Sequence, residues 1–132
     1  MDKISLLKFK IGAVCFGIDP YLVDGMVNIP SQEARAYKLF DLADKLGLPL
    51  ERKNYRKAIL LQSFPTSETG SEHIGILVEE IEAIEDFPLE ALKKLPKIVK
   101  NAMSSDVIMG LVLWEASICL LVDGEKIAYC FV

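Results

Sequence analysis

The side chains that could support nucleophilic catalysis by a thiol are three cysteines and a single histidine. A cysteine nucleophile needs a nearby base to take its proton, and only His73 could supply an imidazole. Cys15, Cys119 and Cys130 lie in apolar segments, where cysteine usually fills space in a core. The pattern favours buried thiols over a catalytic Cys–His pair, so we predict no catalytic residues and no enzymatic activity.

Metal and cofactor sites have no signature in the sequence. A structural zinc site takes about four Cys or His ligands, and that number would require every such residue from distant segments. Neither a GxxxxGK[ST] nor a GxGxxG element is present, so no phosphate-binding loop is expected. We therefore predict no metal and no cofactor.

Six carboxylates form an acidic cluster in the second half of the chain. They could form paired catalytic carboxylates or a divalent-cation site. Carboxylates on an exposed strand face more often keep that face hydrated and discourage edge pairing. We favour this second interpretation for Glu79, Glu80, Glu82, Glu85, Asp86 and Glu90.

The bulk composition excludes several classes of function. Hydrophobic residues make up 52% of the 132 residues, and the formal net charge is −4 at pH 7. The chain can form a full core, but it lacks the clustered basic face that nucleic acid requires; the lysines between residues 93 and 100 are interpreted as a solvated strip. No apolar run reaches the ~18 residues that span a bilayer. We predict one domain over residues 1–132, cytoplasmic, with no nucleic acid partner and no membrane insertion.

Alternating apolar residues predict the strands that must position these side chains. The pattern has period two on both sides of Gly12 and Ala13, which predicts a hairpin over residues 7–18. A glycine inside a strand often marks a bulge, as we expect at Gly25. Further strands are predicted over residues 22–29 and 58–61 and in a hairpin over residues 107–123.

Residues 74–87 fit two patterns. Ile74, Ile76 and Val78 alternate as in a strand, whereas Ile81 and Ile84, with Leu77, have the spacing of a helical face. The content of β-branched residues favours two short strands. The polar residues 63–73 before them are predicted to form a mobile loop.

Two short helices are expected between the strands. One covers residues 39–46 and ends at Gly47, and the other is a turn over residues 89–95 that ends at Pro96. Many short strands with two brief helices predict an all-β barrel or sandwich. Trp114, at the end of an apolar strand, is either a core residue, which we favour, or an interface anchor.

Three blocks taken together resemble the CheW-like domain of chemotaxis coupling proteins. They are KFKIGAVCFGIDPYLVDGMVNI, then LFDLADKLGLP, and then IGILVEEIEAI followed by IMGLVLWEASICLLVDGEKI. The resemblance implies an all-β fold of two five-stranded SH3-like barrels that share a hydrophobic core. It also implies a non-catalytic adaptor that links the regulatory domain of a histidine kinase to the signalling tip of a chemoreceptor.

By position, the family's kinase-docking strand falls on Val23, Asp24, Gly25, Met26 and Asn28. A broken strand with a flexible methionine and a carboxylate presents a mixed apolar and polar surface, and exposed strand edges accept partner strands. The alternative for these residues is an ordinary edge strand with no partner.

The sequence departs from the family in two places. Residues 30–38, PSQEARAYK, lack the family's Asn-Leu-Arg-Gly motif, and nothing around Arg35 equates it with the family's arginine. The family's C-terminal helix is nearly absent, and the apolar end of the chain predicts self-association through Tyr129, Phe131 and Val132. The alternative function is therefore a homo-oligomeric regulatory module that has lost coupling.

Overall fold

The computed structural model describes residues 2–48, 54–62, 64–66, 70–102 and 106–130. The strands are β1 Lys3–Ile11, β2 Val14–Ile18, β3 Val23–Asn28, β4 Lys38–Phe40, β5 Lys57–Leu61, β6 Phe64–Thr66, β7 Gly70–Glu72, β8 Ile74–Val78, β9 Glu80–Pro88, β10 Leu92–Lys93, β11 Ile108–Trp114 and β12 Ser117–Val122. The helices are α1 Leu42–Leu46, α2 Lys97–Ala102 and α3 Gly124–Cys130. Single 3₁₀ turns cover Pro20–Leu22, Glu33–Ala36 and Leu89–Ala91.

These strands form two main sheets and a small ribbon. The six-stranded sheet has the order β10-β11-β12-β2-β1-β9, the four-stranded sheet has the order β3-β5-β8-β4, and β6 pairs with β7. Only the β12–β2 and β4–β8 pairs of the described strands are parallel. Because β8 ends at Val78 and β9 begins at Glu80, one segment of chain crosses from the small sheet to the large one.

The predicted all-β class with short helices is confirmed. The barrel closure implied by the resemblance is not: in the described residues the ladder hydrogen bonds leave both sheets open, with β3 and β4 at the edges of one and β10 and β9 at the edges of the other. Two apolar clusters fill the interior. The larger joins both sheets, and the smaller packs Leu6, Phe87 and Val112 with their neighbours inside the six-stranded sheet.

The N-terminal hairpin supplies the centre of the larger cluster. The antiparallel pairing sets Phe9 opposite Phe16, and their rings stack with centroids 5.4 Å apart. Gly12 has a φ of 61° in the turn, a conformation that costs glycine little. The predicted hairpin over residues 7–18 is confirmed, and it lies next to both β9 and β12.

Gly75 allows close packing in the four-stranded sheet. A Cβ atom at this position would lie 2.7 Å from Leu39 Cδ2 and 3.2 Å from Leu60 Cδ2. Both contacts are closer than van der Waals packing allows, because nonbonded carbons are optimally about 3.5–4.0 Å apart. The glycine therefore lets side chains from the strands on both sides of β8 meet over it.

Two predicted segments differ from the structure. The expected helical turn over residues 89–95 is a 3₁₀ turn followed by β10, because Leu92 and Lys93 pair with Val112 and Leu111 of β11. A helix begins only after Pro96, as α2. Within the segment predicted to be a loop, β6 and β7 form an antiparallel ribbon, while residues 63 and 67–69 lie outside the described residues.

The end of the described chain is also different from the prediction. The sequence suggested that a C-terminal helix is nearly absent, whereas residues 124–130 form α3. The side chain of Asp123 accepts hydrogen bonds from the backbone N–H groups of Glu125 and Lys126, at 3.1 and 3.2 Å. An aspartate in this position stabilises the start of a helix.

The prediction of three free thiols is wrong for two of the cysteines. Cys15 of β2 and Cys119 of β12 form a disulfide with their Cα atoms 4.8 Å apart. The parallel pairing of these strands sets Leu120 next to Phe16, one residue beyond each cysteine. The cross-link therefore joins the N-terminal hairpin to the hairpin of β11 and β12.

A thiol titration will check this pairing. The chain contains three cysteines, and two form the disulfide, so protein purified without reductant and then denatured should react as one thiol per chain. The matched control is Cys130→Ser, which should remove that signal. Three reactive thiols before any reduction would contradict the pairing.

Candidate functional site

The strand predicted to dock a partner is an open sheet edge. β3 is the first strand of the four-stranded sheet and, within the described chain, pairs only with β5. Its residues alternate in burial: Val23, Gly25 and Val27 are half-buried, while Asp24, Met26 and Asn28 are exposed. The sequence-predicted residues thus divide between the two faces of the strand, and the exposed ones stand at an edge that could accept another chain.

A β-bulge shapes this edge, as predicted from Gly25. Val23 lies opposite Leu61 and Gly25 lies opposite Leu60, so Asp24 is an extra residue with no partner of its own in the ladder. Bulges redirect side chains and increase the local twist of a strand. The bulge places Asp24 beside Met26, whose side chain is 53% exposed.

A groove of about 460 Å³ separates this edge from the edge of the other sheet. On one side it is lined by Asp24, Gly25 and Met26 of β3, and on the other by Glu82 and Ile84 of β9. A smaller cavity of about 290 Å³ continues past Met26 towards Asn28 and Lys57. We call the first of these two spaces the edge groove.

The far wall of the edge groove contains a second bulge. Leu7 lies opposite Ile84 and Phe9 lies opposite Ile81, so β9 uses one more residue than β1 over this stretch. Glu82 and Ala83 occupy the irregular positions. Two sheet edges, each interrupted by a bulge, therefore face each other across the edge groove.

The acidic cluster separates into carboxylates with different partners. Glu79 accepts hydrogen bonds from the backbone N–H groups of Gly12 and, at 2.8 Å, Asn54. Glu85 pairs with Lys8 at 3.0 Å, and Asp86 binds both Ser5 and Lys3. The hydrogen bond from Ser5, and then the one from Lys3, lowers the pKa of Asp86.

Glu82 differs from the other members of this cluster in having a shielded carboxylate oxygen without a hydrogen bond. Its Oε1 atom is shielded from solvent, and none of the described residues donates a hydrogen bond to it. Among the described residues, no group of three or more His, Cys, Asp or Glu side chains is placed to hold a metal ion. Glu79, Glu85 and Asp86 therefore have structural partners, and the interpretation of the whole cluster as a solvated face stays a prediction.

The Asp24 carboxylate has a hydrogen-bond partner in a tyrosine at the opposite edge of the same sheet. The Tyr37 hydroxyl donates to Asp24 Oδ2 at 3.2 Å, and the Tyr37 ring meets the His73 ring edge-on, with centroids 5.5 Å apart. Desolvation, followed by the hydrogen bond to Asp24, raises the pKa of the tyrosine above its ordinary value. Tyr37 directly precedes β4, so this contact joins the two outer strands of the small sheet.

A cavity of about 600 Å³ lies beyond the end of β3. It is mostly apolar and is lined by Ile29, Pro30, Ser31, Ala34, Arg35, Tyr37, Leu39 and Tyr55. Arg35 is exposed at the end of the 3₁₀ turn Glu33–Ala36. This cavity occupies the position where the sequence lacks the Asn-Leu-Arg-Gly motif, and sequence reasoning did not find it.

The structure also bears on the predictions for Trp114, for the end of the chain and for membrane insertion. Trp114 is half-buried against the smaller apolar cluster, which supports its interpretation as a core residue. Tyr129 belongs to α3, but its side chain, Phe131 and Val132 lie outside the described residues, so self-association through them stays a prediction. Within the described ranges, no helix is long and apolar enough to cross a membrane.

Comparison with known proteins identifies one fold. A family model described as the CheW-like domain matches residues 7–129. The structure is similar to that of the scaffolding protein TtCheW from Thermoanaerobacter tengcongensis, with a TM-score of 0.70, 12% sequence identity, and coverage of 92% of this chain and 89% of that one. No curated protein matches the sequence.

Proposed function

This chain belongs to the CheW-like domain family, and on that premise we propose that it is a non-catalytic adaptor of chemotaxis-type signalling. It would link the regulatory domain of a histidine kinase to the signalling tip of a chemoreceptor or a related signalling protein. Such a protein performs no bond chemistry. It acts by binding two partners and holding them in a fixed geometry.

The open edge of β3 is the observation that carries the proposal. Asp24, Met26 and Asn28 are exposed on a strand whose outer backbone groups meet no other described strand. An added partner strand would gain ladder hydrogen bonds there, and Met26 would supply an adaptable apolar contact. A Cβ atom at Gly25 would meet only Leu60 Cδ1 among the described residues, at 3.9 Å, so this position leaves room for close approach of another backbone.

Three finer features belong to the same proposal. The chain would act as one domain in the cytoplasm. The two curved sheets would behave as a pair of small barrels. The Tyr37–Asp24 contact between β3 and the start of β4 supports this view of the four-stranded sheet.

Binding measurements with the two candidate partners test the proposal. The purified chain should bind the regulatory domain of a histidine kinase encoded beside it, and it should bind a soluble receptor-tip fragment without displacing the kinase domain. Isothermal titration calorimetry would give both affinities, and mass photometry would show whether one complex contains all three. No binding to either fragment would overturn the adaptor role, and turnover of any substrate would overturn its non-catalytic character.

A further inference from the structure

We propose that the edge groove receives a partner segment that carries one basic side chain, lysine or arginine, between aliphatic residues, and that Glu82 binds that cation. The proposal rests on the adaptor function and adds the chemistry of the partner. Its elements are the unpartnered carboxylate oxygen of Glu82, the charge of the edge groove and the exposed apolar side chains along it.

Glu82 Oε1 is shielded from solvent and accepts no hydrogen bond in the described chain, although Glu82 as a whole is only half-buried. A buried polar atom without a hydrogen bond is unfavourable, and a charged one is more so. The nearby Lys8 does not serve it, because its Nζ lies 3.0 Å from Glu85. Since the terminal torsion of a glutamate side chain has a broad energy minimum, a modest rotation would present the carboxylate to the edge groove that Glu82 lines.

The charges of the edge groove select a cation. Of the described residues that line it, two are carboxylates, Asp24 and Glu82, and none is basic. Lys57 lies in the next cavity, beyond Met26. The tyrosine hydroxyl that donates a hydrogen bond to Asp24 is neutral, so it leaves the negative charge of that carboxylate in place. A basic side chain entering between these walls would be attracted from both sides.

The apolar part of the edge groove selects the residues next to that cation. Met26 is 53% exposed and Ile84 is 58% exposed, on opposite walls. Both sides of the edge groove are sheet edges, so an extended segment could follow β3 with alternate side chains pointing towards the walls. Aliphatic residues on each side of the basic one would then cover Met26 and Ile84.

A pair of defined peptides tests this assignment without a natural partner. The first alternates valine and threonine around a central arginine and carries fluorescein; the second replaces the arginine by citrulline, which has nearly the same shape and no charge. Fluorescence anisotropy would give the affinity of each peptide for the wild-type chain, Glu82→Gln and Glu90→Gln. Glu90 is exposed in the Leu89–Ala91 turn and lines neither the edge groove nor the neighbouring cavity, so it is the matched control.

The arginine peptide should bind the wild-type chain and Glu90→Gln equally, and it should bind Glu82→Gln about tenfold more weakly, as expected for loss of a charged hydrogen bond. The citrulline peptide should bind all three proteins alike, and no more tightly than the arginine peptide binds Glu82→Gln. Equal binding of the two peptides by the wild-type chain, or no binding of either, would overturn the inference. Thermal unfolding of each variant would exclude misfolding as the cause.

The same variants separate this inference from the adaptor function. If the kinase domain and the receptor fragment each bind wild-type protein and Glu82→Gln alike, the adaptor role stands and the role of Glu82 is lost. If neither kinase nor receptor fragment binds but the arginine peptide discriminates as described, the edge groove retains its specificity and the proposed partners are wrong.

Discussion

Replacing Met26 by Lys and Asp24 by Arg together should abolish binding of the kinase regulatory domain. Both side chains are exposed on the open edge of β3, where a partner would cover them. Burying a lysine in place of an apolar contact, and reversing the charge beside it, should together weaken binding by about 3 kcal/mol or more, over a hundredfold in Kd. Calorimetry with the purified kinase domain measures this loss.

The fold should survive the double change. Among the described residues, the hydrogen bond that the variant loses is the exposed one from Tyr37 to Asp24, so its free energy of unfolding should change by no more than about 1 kcal/mol. The matched control combines Met109→Lys with Glu90→Arg, because Met109 is 54% exposed and Met26 is 53% exposed. Unaltered kinase affinity in the β3 variant would remove this surface from the proposal.

Truncating Phe16 to Ala should produce the largest loss of stability among the changes considered. Phe16 is 0% exposed, stacks on Phe9, and pairs across strands with both Phe9 and Leu120. Removing a buried phenyl ring leaves a cavity and typically costs about 3–5 kcal/mol. For a chain of this length that loss corresponds to a fall in Tm of roughly 10–20 °C.

The control for this change is Ile118→Ala on β12. Ile118 is 57% exposed, so its truncation should alter the free energy of unfolding by less than about 1 kcal/mol. Urea unfolding followed by tryptophan fluorescence would report both variants, since Trp114 is half-buried against the smaller cluster. A loss below about 1 kcal/mol for Phe16→Ala would mean that the core does not depend on this ring pair.

The ambiguous segment at residues 74–87 shows how a local pattern can mislead. The helical spacing of Ile81 and Ile84 arises from the bulge in β9, which adds a residue and brings both side chains opposite Phe9 and Leu7 of β1. The three-residue spacing of Ile81 and Ile84 within a strand was therefore the sequence signal for the bulge that shapes the far wall of the edge groove. The sequence interpretation counted Glu82 only as one member of a solvated acidic face.

The predicted docking strand was located from both its resemblance and its residues. Gly25 indicated the bulge, and Pro30 marked the end of the strand, as the structure has them. The exposure of Asp24, Met26 and Asn28 follows from the period of two. Their docking role stays a proposal, because a sheet edge alone does not reveal what covers it.

The alternation of aliphatic and polar residues predicts locally where most strands run, because consecutive side chains of a strand point to opposite faces of the sheet. It could not decide which strands meet. The Cys15–Cys119 bond joins residues 104 positions apart, and it exists because β12 lies parallel to β2. The edge groove likewise forms only where an edge of one sheet comes to face an edge of the other. Such placements depend on the packing of distant segments around a common core, which no local pattern of residues contains.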